Sequence, residues 1–218
     1  MFLYGWERTA SWQVSLAAVG ILLGLPGVWG PAVVRPVGVD LPSMVVGLAA
    51  IVAWDYDLQW LSMVLLVFAA LGKESMPVWV ALWAWHPIFL LGLVVPVVRG
   101  LLVKPYLDEV TANPNLREVH DHPVRSALVA HRAQWRDGWV MVFPWGLGVL
   151  ALVDVRVSVV CCLVFAYLQL LVATDTVRLL HTAAGVPVAL AAAQAIPVEW
   201  LWLAVAVHIV WWRKPVLI

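Results

Sequence analysis

The chain reads as all-α: a polytopic bundle of about seven or eight transmembrane helices with one amphipathic helix lying at the membrane interface. Three observations predict this. Hydrophobic residues fill 64% of 218 positions and charged residues only 12%, giving a mean hydropathy of +0.93. The charges fall in short clusters between long apolar runs. Fifteen tryptophans recur near the ends of those runs, where amphipathic indoles favour the membrane–water boundary. So few polar groups could not cover a water-soluble domain of this size, and residues 1–218 are expected to form a single integral membrane domain.

Net charge is zero, which gives no electrostatic reason to expect nucleic acid as a partner. Cys161 and Cys162 are adjacent within an apolar run; vicinal cysteines rarely bridge, and these read as small hydrophobes. Residues 1–12 lack the basic stretch of a secretory signal, because Glu7 and Arg8 cancel, so the first run is expected to be retained. Phe2 and the final Pro-Val-Leu-Ile match no lipidation signal.

A hydrocarbon core of about 30 Å needs roughly 20 helical residues. The first run covers about 11–29, followed by a Pro/Gly-rich connector ending at Asp40 and Pro42. Two shorter runs, about 43–54 and 58–71, are separated only by Asp55-Tyr56-Asp57. One long tilted helix would bury both carboxylates at a cost of several kcal/mol, so a hairpin with a tight turn is favoured. The polar turn 72–77 carries Lys73, Glu74 and Ser75. A fourth run, about 78–98, holds Pro87 and Pro96 and is expected to kink. Residues 99–138 form the sizeable polar segment, expected to be extramembrane, and four runs (139–153, 157–172, 179–196 and 199–212) close the chain.

Lysine and arginine placement sets orientation. With 99–138 in the cytosol, that face collects Arg99, Lys104, Arg117, Arg125, Arg132 and Arg136, and alternation adds Arg178, Arg213, Lys214 and the C-terminus. Lys73 and Arg156 then face outward. Arg8 and Arg35 exchange sides between seven and eight spans, so the tally does not choose between them. Within the polar segment, about 123–136 reads as the interfacial helix, capped by Asp121. Val124, Ala127, Leu128 and Trp135 turn toward lipid, and Arg125, Arg132 and Arg136 toward headgroups.

Chemistry-bearing clusters are sparse. His120-Asp121-His122 and His131 lack a recognisable ligand spacing, and on one helix His122 and His131 fall on nearly opposite faces, so no metal is expected. Asp55 and Asp57 lack further oxygen ligands nearby, and no cofactor is called for. Thr174, Arg178, His181 and Thr182 share a helical face, with Asp175 one turn from Arg178. This set is either a salt-bridged helix end or a cationic pocket for a phosphate at the bilayer edge. Lys73-Glu74-Ser75 offers a second phosphate-holding turn, or an ordinary charged one. His86 and His208 are expected to be bonded to neighbouring helices, and the Ala-rich tract 189–193 to make a close helix contact in which Gln194 finds a partner.

Three segments carry a resemblance. "AALGKESMPVWVALWAW" resembles the span–turn–span hairpin of C-type glycosyltransferases, membrane enzymes that take sugars from lipid-phosphate carriers. "WVMVFPWGLGVLAL" is similar to a later span, and "TDTVRLLHTAAGVPVALAAA" to the arginine-led helix near their C-terminus. The resemblance covers about a quarter of the chain. It implies a lipid-linked-sugar transferase in which Lys73 or Arg178 grips the carrier phosphate, with Glu74, Asp175 and His181 beside them and Asp40 as base. Two departures stand out. The catalytic acids of that family lie on a large extracytosolic loop after the first span, whereas the corresponding connector 30–42 offers only Asp40. The charge rule also puts Lys73 and Arg178 on opposite faces, whereas a single active site of that family would want both outside. The chain therefore looks like a partial member, not necessarily active alone. The competing expectations are a non-enzymatic accessory or assembly subunit, or a small transporter, though no convincing internal repeat supports the latter. Membrane lipids, a lipid-linked sugar and other membrane subunits are the expected partners.

Overall fold

The computed structural model describes residues 1–25, 28, 40–102, 121–135, 145–153, 156–171 and 176–211, and all regular structure among them is helical. A short helix α1 (Phe2–Thr9) turns into α2 (Trp12–Gly24) at Ala10, which takes the left-handed conformation at φ 51°. Ser11 caps α2 by accepting from the Val14 amide, and the Ser15 hydroxyl donates to the Ser11 carbonyl at 2.7 Å. The first bond satisfies one of the amide donors that a helix start leaves open.

The hairpin favoured by the sequence is present. Helix α3 (Asp40–Asp55) and helix α4 (Gln59–Gly72) flank a turn in which Asp57 has φ 59°, and they share the most extensive interface in the molecule. The Ser62 hydroxyl, fully buried, donates to the Ala50 carbonyl at 2.7 Å and pins the two helices near the turn.

The fourth apolar run departs from expectation. It is not a kinked span but a reversal. Helix α5 (Met76–Ala84) stops where Trp85 adopts a left-handed conformation at φ 53°, and a 3₁₀ segment, Pro87–Leu93, leads back into α6 (Val94–Leu102). Pro87 lacks an amide to continue the α-helical ladder, and the residue before it is pushed toward extended backbone; His86 sits there at φ −138°. His86 Nδ1 then accepts from the Ile88 amide at 3.3 Å and caps the new segment. The contacts on each leg confirm opposite directions. The His86 ring meets Trp54 at 5.3 Å in a tilted contact near the turn end of α3, whereas Arg99 donates to the Leu71 carbonyl at 3.5 Å near the opposite end of α4.

Beyond this, α7 (Pro123–Trp135) docks through buried Ala127 and through His131, whose Nε2 meets the Leu170 carbonyl at 2.8 Å. A second 3₁₀ segment (Gly146–Leu152), α8 (Val157–Gln169), α9 (Thr176–Ala195) and α10 (Val198–Trp211) complete the order. Helix α9 is central, with its Ala-rich tract buried and contacts to α2, α3, α5, α8 and the second 3₁₀ segment. Glycines let α2 and α10 approach closely: a methyl on Gly24 would lie 2.5 Å from His208 Cδ2, and one on Gly20 would lie 2.6 Å from Val205 Cγ1. His208 joins three elements, with Nε2 at 3.0 Å from the Ile21 carbonyl and Nδ1 accepting from the Leu147 amide at 3.4 Å. That geometry selects the tautomer with its proton on Nε2.

No helix among the described residues is long and apolar enough to cross a membrane. The expected span 78–98 is divided by the reversal, and the start of the expected span 139–153 lies outside the described residues. A few polar side chains nonetheless lie within the apolar interior, and many apolar ones lie on the surface. Ser15, Ser43, Ser62, His181, Thr182 and His208 are buried, while Val64, Phe68, Leu91, Val97 and Leu101 are exposed.

At the turn end of the hairpin, α1 forms a clasp. Arg8 pairs with Asp55 at 2.8 Å, Tyr56 donates to Glu7 at 2.6 Å, and Tyr4 donates to the Trp83 carbonyl at 2.8 Å. Burial pushes the Tyr4 phenol up to about 12, so it remains a donor across the ordinary pH range. The Glu7 hydrogen bond raises the exposed Tyr56 phenol above its usual value. The folded state therefore holds that proton more tightly, and this contribution is complete below pH of about 10 and lost as pH rises through the raised value. An ultraviolet titration of Glu7→Gln is expected to move the Tyr56 ionisation down toward the usual value. Separately, Gly24→Ala is expected to lower stability by about 1–3 kcal/mol, by forcing the pinned His208 ring to shift. Gly100→Ala, with nothing within 4 Å of the added methyl, is expected to be neutral or mildly stabilising. Thermal unfolding of the two variants checks both.

Candidate functional site

The two ends of the hairpin are chemically distinct. Asp40 opens α3 and Lys73 follows the last residue of α4, so both lie at the end away from the turn. There the Lys73 ammonium donates to the Asp40 carboxylate, with Asp40 buried and Lys73 half-buried. Each charge is also well placed against its own helix: an anion at the start of α3 and a cation at the end of α4 oppose the peptide dipoles. Two residues singled out separately in the sequence are thus a single ion pair.

The reversal at Trp85–Pro87 adds a third group that sequence reasoning missed. It returns α6 to the Lys73 end and brings Arg99 to the last turn of α4. A His-Pro step inside an apolar run was the available signal, but a kink and a full reversal look alike in sequence.

A ladder of side chains relates this end to α9. Trp79 on α5 packs edge-on against Phe165 of α8 at 4.9 Å. Tyr167, two residues further along α8, accepts from Trp145 Nε1 at 3.2 Å, and Trp145 meets the His181 ring at 5.0 Å. Helix α9 therefore begins at the same end as Lys73 and runs toward the turn end, where α10 starts with Trp202 beside Trp12 at 6.3 Å. Arg178 belongs to the first turn of α9; its side chain, and Asp175 altogether, lie outside the described residues. The opposition expected between Lys73 and Arg178 does not hold, because the fourth run crosses the bundle twice rather than once.

The remaining candidates separate. His181 is fully buried, one turn deeper than Arg178, packed on Trp145. Glu74 is exposed beside Lys73, and the Ser75 hydroxyl accepts from Trp79 Nε1 at 3.1 Å. Of the histidines considered for a metal, His122 is exposed and His131 faces inward, while His120 lies outside the described residues. No group of three or more His, Cys, Asp or Glu among the described residues is placed to hold an ion. Asp55 is committed to Arg8. Gln194 Oε1 is buried without a hydrogen bond among the described residues, so the partner expected for it is not found there.

Beside the Lys73 turn runs an apolar groove of about 620 Å³ between α5 and α8. Val78 and Leu168 line it toward the Lys73 end, and Trp85, His86 and Cys161 toward the other. Chemically, the arrangement offers a compensated lysine, an adjacent carboxylate, a nearby guanidinium and an apolar channel leading away from them.

Removing one member of the Asp40–Lys73 pair leaves the other charge poorly solvated. Asp40→Asn and Lys73→Met are each expected to destabilise by about 1–3 kcal/mol, and the double variant by less than the sum. Unfolding midpoints of the four proteins in a double-mutant cycle check this. Neither a family model, nor a curated protein, nor a solved structure matches this chain.

Proposed function

We propose that this is a membrane-embedded helical protein that holds a lipid-linked phosphate at its Lys73 end, and that its chemistry is sugar transfer from such a carrier. The observation that carries the reading is the gathering of the Asp40–Lys73 pair, Arg99 and the first turn of α9 at one end of the bundle. A phosphate there would meet several cationic groups, and charge-assisted bonds are the strong ones. The groove along α5 starts beside the same turn and has the apolar lining that a carrier's hydrocarbon chain needs. Asp40 holds Lys73 in place through their ion pair and is the carboxylate that would act as base. The resemblance to C-type glycosyltransferases rests on the Lys73 turn and the helix containing Arg178, the same residues, but it implies a site on the outer face, and the charge distribution places this end toward the cytosol.

Membrane embedding is supported by the many large aliphatic and aromatic side chains left exposed, such as Val64, Phe68, Leu91, Val97 and Leu101. The 16 residues of α3 and 14 of α4 rise about 24 and 21 Å, so lipid around them would have to be thinner than the usual core of about 30 Å. In this reading the Lys73 end faces the cytosol, together with the segment 99–138 and the C-terminus, because that end collects the basic residues.

The second reading, an accessory subunit, draws on the compensation of Lys73 by Asp40, which needs no ligand. Binding of a polyprenyl phosphate to the purified full chain in nanodiscs separates the two. The transferase reading expects Lys73→Ala and Arg178→Ala each to weaken binding by roughly tenfold with folding retained. Unchanged binding in both variants would refute it.

A further inference from the structure

Helix α9 continues from Thr176 to Ala195 although Pro187 lies inside it. A proline nitrogen carries no hydrogen, so the carbonyl four residues earlier, that of Ala183, loses its α-helical donor. A donor comes from another helix instead. The Trp83 indole, near the end of α5, gives its Nε1 hydrogen to the Ala183 carbonyl at 2.8 Å. Trp83 is 4% exposed and Ala183 is fully buried. An orphaned carbonyl there would be costly, so the indole substitutes for the amide that Pro187 lacks.

The surroundings hold the indole to this task. Trp83 belongs to the last turn of α5, where carbonyls run out of helical partners, and its own carbonyl accepts from the Tyr4 hydroxyl at 2.8 Å. Along α9, Ala184, Val186, Val188 and Ala189 are all buried, and a methyl on Gly185 would lie 3.0 Å from Leu22 Cδ1. Helices α2 and α5 thus both meet α9 beside its missing bond.

A missing ladder bond makes the point where a helix bends most easily. The half of α9 before Pro187 starts with the turn that carries Arg178, and the half after it holds the buried Ala-rich tract. We propose that Trp83 is a positioning residue: by donating to Ala183 it closes a proline hinge in α9 and sets the direction of the half that bears Arg178 relative to Lys73. The hinge stands on this geometry alone, and its bearing on phosphate rests on the function proposed above. Without the bond, the Arg178 turn can swing while the later half stays packed.

The test uses the full chain in nanodiscs, with amide hydrogen exchange read separately over 176–186 and 188–195 and polyprenyl phosphate binding measured in parallel. Trp83→Phe removes the donor and keeps an aromatic ring. It is expected to speed exchange of the first segment about tenfold, leave the second within about twofold, and weaken phosphate binding several-fold. Adding Pro187→Ala returns an amide to the Ala183 carbonyl, so the double variant is expected to recover both measurements to within about twofold of the parent. Lost packing would not be rescued this way, because the second substitution only removes further atoms. Equal loosening of both segments, or no recovery in the double variant, overturns the hinge. If Trp83→Phe does not fold, the double variant decides alone: parent-like exchange supports the hinge and misfolding overturns it. Binding by the parent that Trp83→Phe leaves unchanged overturns the positioning of Arg178. The expected exchange pattern without phosphate binding by the parent overturns the phosphate reading and leaves the hinge standing.

Discussion

The reversal of the chain at Trp85, His86 and Pro87 is the constraint on which the distribution of charge depends. A continuous helix over the fourth apolar run would carry Arg99 to the end opposite Lys73, and every later element would follow it. The left-handed Trp85 and the missing amide of Pro87 prevent this, and the His86 cap makes the new direction locally favourable. As a result, the ends of α4 and α6 and the start of α9 face the same way. Chemistry that needs several cations at one place is possible only with that geometry.

Inside the bundle, polar side chains are satisfied mostly by backbone carbonyls of other elements rather than by each other. Tyr4 uses Trp83, Ser62 uses Ala50, Trp83 uses Ala183, His131 meets Leu170 and His208 meets Ile21. Each bond fixes an axial offset between two elements, which apolar side chains alone specify weakly. Inside an apolar core an unpaired group of this kind costs several kcal/mol, so these few contacts select one packing among many apolar alternatives.

Much of the architecture was legible in the sequence, for identifiable reasons. Asp55 and Asp57 could not be buried, which forced the hairpin; Pro123–Trp135 is helical as its spacing suggested, although Ala127, expected on the lipid face, is buried on the side of His131. The close approach around 189–193 followed from side-chain size. The site was less legible. Asp40 and Lys73 are 33 residues apart, and nothing local to either says that they pair. Helix lengths also misled, because an unbroken apolar run does not reveal where the backbone changes from α to 3₁₀ geometry. Gln194 shows the converse: its residue type predicts a partner, but only the packing of other elements could supply one.

The His208 imidazole has a dynamic consequence. Its two nitrogens bind backbone atoms 61 and 187 residues away in sequence, in the second 3₁₀ segment and in α2. None of these three elements can peel away without breaking a bond in a region where water does not compete to replace it. They therefore form a common opening unit, and local fluctuations should enter the molecule elsewhere, through α6, which buries none of its residues.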